Sequence, residues 1–204
     1  MKKLAALLLT IALLCGAAAL AEGPKTVSPN PANIDAANLA DGEYSIAFEP
    51  ANIKEADGGL VIENADVFAL EHFDADAVKA LTVGDTIVID GEPNVIESIG
   101  ERDGFLVFND WIQLSLEEDN GTFRFWGDND IASFTKVGTV TLKLSKDLVF
   151  EDTSDLEIEE PVTCGPDKLI ETVKQFEDAG FNCHNTTATV QNGEVVKLVH
   201  EYMP

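Results

Sequence analysis

Residues 112–126, Ile-Gln-Leu-Ser-Leu-Glu-Glu-Asp-Asn-Gly-Thr-Phe-Arg-Phe-Trp, decide the fold class of this chain. Ile112, Leu114 and Leu116 alternate with Gln113, Ser115 and Glu117, the period of a strand with one wet face. Asn120-Gly121 then supplies residues that tolerate the positive φ of a tight hairpin turn, so Thr122 to Trp126 is expected to run back beside the first strand.

The same grammar extends outward in both directions. Upstream, Glu43 to Glu49, Leu60 to Ile62, Val67 to Phe73, Thr86 to Asp90, Asn94 to Ile99 and Phe105 to Phe108 read as strands separated by Gly, Asp and Pro turns. A brief helix fits Ala75 to Leu81, with Asp74 as its N-cap and Val83-Gly84 ending it. Downstream, Val140, Leu142 and Leu144 alternate with Thr139, Thr141, Lys143 and Ser145, and Leu148 to Phe150 forms a last short strand. Strands at this spacing predict an antiparallel β-sandwich or a small barrel. The stretch Val83–Gly91 resembles the strands that open SH3-like barrels, a likeness that covers one strand and its turns.

Past Phe150 the composition shifts. Asp152 to Glu160 is almost wholly acidic or small, Pro161 follows, and a domain boundary is expected there. Pro166 begins a helix to about Asp178, with Leu169, Ile170, Val173 and Phe176 on one face, stopped by Ala179-Gly180. A hairpin closes the chain, Thr186 to Val190 and Val195 to Tyr202 around Asn192-Gly193. A helix plus a hairpin is thin for an independent core, so this unit is expected to dock on the β-rich part. The expected class is α+β, mainly β, with residues 41–151 as the β-rich domain and 152–204 as a docked helix-hairpin unit. Residues 22–40, with three prolines and no sustained period, read as a linker or flexible arm.

The N-terminus carries an address. Lys2-Lys3, an apolar run from Leu4 to Leu14 and Ala19-Leu20-Ala21 make residues 1–21 a secretory signal peptide, cut before Glu22. Acylation at Cys15 is the rival reading, but Leu14 stands where lipid-attachment signals place a small residue. The apolar run is too short for a comfortable span, and no membrane span is expected in the mature chain. The product is therefore expected to be secreted or extracytoplasmic, and the Lys-Lys leader reads as bacterial. With 37 acids against 13 bases and a formal charge of −24, the surface repels phosphate backbones, which argues against nucleic acid as a partner.

An oxidising compartment permits Cys164 and Cys183 to pair, closing a loop of about 19 residues worth roughly 3 kcal/mol in the chain-entropy model. Glu117 and Asp119, with Asp128 and Asp130 across the hairpin strand, are candidate oxygen ligands for Ca²⁺. They compete with a plain acidic rim, since no EF-hand-type loop is present. Trp111 and Trp126 are candidates for a ligand-stacking platform, set against the ordinary reading in which Phe123 and Phe125 fill the core and Trp126 caps an edge. No nucleophile motif and no phosphate-binding loop occurs. His72 and His184 read as solvated or turn residues, and His200 as half-buried on a strand face. The function these signs favour is a secreted cell-envelope module without catalysis, with a polysaccharide, peptide or protein partner. The alternatives are an extracytoplasmic hydrolase of envelope polymers using carboxylates from residues 117–130, and a calcium-binding surface protein.

Overall fold

A computed structural model describes residues 23–31, 33–56, 58–117, 119, 121–127, 132–153, 162–174 and 180–201. The leader with Cys15, the loop holding Asp128 and Asp130, the acidic run 154–160 and the expected helix end at 175–179 lie outside the described residues.

Alternating apolar side chains organise two cores. The first belongs to Gly42–Ala47 (β2), Ile53–Ala56 (β3), Gly59–Leu70 (β4), Phe134–Thr153 (β12), Val162–Cys164 (β13), Thr186–Gln191 (β14) and Glu194–Glu201 (β15). These run in the order β13-β12-β15-β14-β2-β4-β3, and β4 pairs again with β12. That second pairing joins the sheet to itself and closes a five-stranded barrel of β12, β15, β14, β2 and β4. Closure is possible because β12 is long enough to serve two neighbours: Phe134 to Lys143 pair with β4, and Leu144 to Thr153 with β15. Ile46, Ile62, Val67, Phe150, Ala188 and Leu198 fill the interior and are fully buried. The helix Pro166–Val173 (α2) lays Leu169 and Val173 onto the same core.

The second core belongs to the segment inserted between β4 and β12. Phe73–Asp74 (β5), Ile112–Glu117 (β10), Thr122–Trp126 (β11), Phe105–Phe108 (β9) and Ile99–Arg102 (β8) form a sheet in the order β5-β11-β10-β9-β8. Thr26–Val27 (β1), Thr86–Ile89 (β6) and Glu92–Val95 (β7) form a second, smaller one. Phe73, Ile87, Phe108, Ile112 and Leu114 are buried in the core the two sheets share. The helix Ala75–Lys79 (α1) covers one side with Val78, and Asp74 Oδ1 caps it by accepting from Ala77 N at 2.7 Å, worth about 1 kcal/mol. Asp103 and Gly104, with φ of 53° and 88°, make the two-residue turn from β8 to β9.

The mainly β class with a C-terminal helix and hairpin is what the molecule has. Several particulars differ from the sequence reading. Two pairings are parallel, β12 with β15 and β1 with β6. The strands expected at 140–145 and 148–150 are one strand, β12, which continues through the boundary expected at residue 151. The C-terminal hairpin supplies two of the barrel's five strands, so it shares the barrel core rather than resting on it. The arm is tied down as well. Val27 is buried in the insert, and Ile34 and Leu39 pack on the barrel. Asp85 Oδ1 accepts from Lys25 N at 2.7 Å, and Asp85 Oδ2 from Thr82 N and Oγ1 at 2.8 and 2.9 Å. The Lys25 amide first, then the Thr82 donors, hold this carboxyl below its ordinary pKa.

Cys164 and Cys183 are free thiols here, so the expected bridge is not formed. Cys164 ends β13 with its Sγ 3.7 Å from Thr172 Oγ1, while Cys183 lies in the turn before β14. In the sheet order, β12 and β15 stand between β13, which carries Cys164, and β14, which Cys183 precedes. Burial pushes the Cys183 thiol above its usual pKa.

Candidate functional site

The insert sheet presents two unlike faces because β10 and β11 alternate in register. Gln113 stands opposite Trp126, Ser115 opposite Arg124 and Glu117 opposite Thr122, all on the polar face. Ile112, Leu114, Phe123 and Phe125 point to the other side and are buried. On the polar face Trp126 Nε1 donates to Ser115 Oγ at 2.6 Å, and the Arg124 guanidinium stacks on the indole at 4.2 Å from the ring centroid. Arg124 also lies 3.9 Å from Glu117. The indole is therefore already engaged on one ring face and at its nitrogen.

Trp111 is half exposed and meets Phe125 edge-on at 6.4 Å. Phe125 and Trp126 are successive strand residues that point to opposite faces, and Trp111 meets Phe125 whereas Trp126 is engaged by Ser115 and Arg124. Among the carboxylates, Glu117 turns to Arg124 and Asp119 is exposed in the hairpin turn, while Asp128 and Asp130 are outside the described residues. Among the described residues no three metal-ligating side chains gather.

The sheet's apolar face opens where α1 fails to cover it. Between α1 and the β8 side of the sheet lies a groove of about 400 Å³ lined by Lys79, Ile99, Glu101, Phe105, Leu116 and Phe123 among others. Leu116 is 45% exposed and Ile99 42%, high values for large apolar side chains on one rim. Lys79 Nζ sits 5.9 Å above the Phe123 ring at the groove wall. By alternation, Leu116 is a third position on the face of Ile112 and Leu114. That alternation was a sound signal for the face but carried none for what covers it.

A second concavity, about 980 Å³, lies at one end of the barrel between the β3–β4 hairpin, the middle of β12 and the start of α2. Its lining mixes Glu55, Asp147, Asp167 and Glu194 with Lys143 and Lys146, and Lys143 is ion-paired to Glu194. Titratable groups are also buried inside the molecule. His200 is buried against Phe181 at 4.4 Å with Asp152 Oδ1 3.3 Å from its Nδ1; burial lowers its pKa and Asp152 pulls the other way. Glu71, at the junction of barrel and insert, is buried and accepts from Thr135 Oγ1 at 2.6 Å. Neither carboxylate carries a mark of burial in the sequence: Asp152 opens the acidic run 152–160, and Glu71 stands beside His72 at a strand end.

No protein-family model, curated protein or solved structure matches the chain. Among the described residues no helix is long and apolar enough to cross a membrane.

Proposed function

We propose that this chain is an exported binding module of the bacterial envelope, without catalysis, that engages a polysaccharide, peptide or protein partner through the apolar groove of its insert. The observation that carries the reading is the pairing of a concave apolar surface with the exposed Leu116 and Ile99 on its rim. Scattered apolar residues are ordinary on a surface, but a contiguous apolar concavity with a charged rim is the usual form of a recognition site. The leader's charge, length and Ala-x-Ala end support export. For hydrolysis, the described carboxylates of the 117–130 region would need to converge, and Glu117 instead faces Arg124.

The test is co-sedimentation of the purified mature protein with isolated bacterial envelopes. The wild type is expected to pellet and Leu116→Glu to stay in solution with its melting temperature unchanged. Equal sedimentation of the two, or none by either, contradicts the reading. N-terminal sequencing of the exported product is expected to begin at Glu22.

A further inference from the structure

We infer that the partner is an extended, cationic polypeptide segment that pairs as an added strand with the β8 edge and lays its apolar side chains into the groove. The inference rests on the groove being the binding surface and adds what occupies it. Among the described residues, β8 is the outermost strand of its sheet, and all four of its residues are exposed. Its register with β9, Arg102 opposite Phe105 and Gly100 opposite Val107, together with the two-residue turn at Asp103-Gly104, fixes which backbone groups are used. Residues flanking such a turn bond each other and alternate residues follow suit, so Arg102 and Gly100 bond inward and Ile99 and Glu101 direct their N–H and C=O outward. An outward row of backbone donors and acceptors is a template for another strand.

The side chains of those same two residues, Ile99 and Glu101, line the groove. Backbone template and apolar floor are therefore adjacent, and a strand added at β8 continues the sheet over the groove with every second side chain facing it. Charge selects the sign of the occupant. Glu97, Glu101 and Asp103 are exposed along this edge, Arg102 is the one base on the strand, and the chain as a whole carries −24. Basic residues flanking an apolar centre meet opposite charge there, whereas a second acidic chain is repelled.

The experiment uses the mature protein and the peptide Lys-Lys-Val-Thr-Val-Thr-Val-Lys-Lys, with Glu-Glu-Val-Thr-Val-Thr-Val-Glu-Glu as its acidic counterpart, read by NMR titration and amide exchange. The basic peptide is expected to bind, to slow exchange of the Ile99 and Glu101 amides, and to weaken about tenfold between about 0.05 and 0.5 M salt. Ile99→Pro removes an outward N–H without taking a bond from the β8–β9 ladder and is expected to abolish binding while the protein keeps its melting temperature. Binding by both peptides alike, by neither, or by the basic peptide to Ile99→Pro overturns the inference. Loss of envelope sedimentation in Leu116→Glu under those same outcomes leaves the groove reading standing, so the two fail separately.

Discussion

The barrel and the insert solve the same problem in opposite ways. The barrel pairs β4 back onto β12, so that among the described residues each of its five strands pairs with at least two others and its interior residues are fully buried. The insert leaves β8 unpaired on one side, and of the six large apolar residues exposed among the described residues, five (Val83, Val95, Ile99, Trp111 and Leu116) lie in it, against Val149 in the barrel. Closure serves stability, and the open sheet carries the surface proposed above to bind a partner. The small sheet of the insert even borrows β1 from the N-terminal arm, so the arm links the two cores that the chain order separates.

The sharpest way to break this comparison is to cut into each core. Phe150→Ala in β12, fully buried in the half of that strand that pairs with β15, is expected to cost about 3–5 kcal/mol in urea unfolding and to lower amide protection across β2, β14 and β15. Phe108→Ala in the insert is expected to cost a similar amount but to lower protection in β8 to β11 first. If Phe108→Ala loosens the barrel as much as Phe150→Ala does, the two cores are one cooperative unit and the contrast fails. A smaller effect sharpens the role of the arm. A Cβ added at Gly138 would stand 2.7 Å from Ala36 Cβ, so Gly138→Ala is expected to cost about 1–3 kcal/mol and to raise exchange in residues 33–40.

The smallest effect concerns pH. His200 is buried under Phe181, and burial holds its folded pKa below the ordinary 6.5 despite Asp152. The unfolded chain therefore takes up this proton first as pH falls. The stability it contributes is present above about pH 6.5 and is lost as the pH drops through the folded pKa, levelling off below it. Urea unfolding of wild type and His200→Gln from pH 8 to pH 4, all other acids being common to both, is expected to show a difference that changes over that window alone. A difference constant with pH contradicts the buried neutral imidazole.

Much of this contrast was legible locally and little of it globally. The hairpin 112–126, the Asp74 cap and the Asn192-Gly193 turn are each set by residues a few positions apart, and the structure has all three elements. Barrel closure was not legible, because it depends on β12 pairing with β4 and β15 across long sequence separations. The alternation along β12 is also interrupted by irregularities near Lys136–Gly138 and between Leu144 and Val149, which made one strand read as two. The nesting of the insert was hidden because no Gly or Pro cluster marks its junctions at Leu70 and Phe134. The proline-rich arm offers no period, yet Val27, Ile34 and Leu39 anchor it through single apolar contacts that composition does not reveal. For the candidate site, the sequence pointed to Trp111, Trp126 and the 117–130 acids, whereas the groove depends on what α1 leaves uncovered, a tertiary fact.

The most direct test of the binding account is amide chemical-shift mapping of the mature protein on addition of solubilised bacterial envelope fragments. The account predicts shifts concentrated on Ile99 to Phe105, Leu116 and Lys79. Shifts concentrated instead on Gly58 to Leu60 and Lys143 to Asp147, at the end of the barrel, would contradict it.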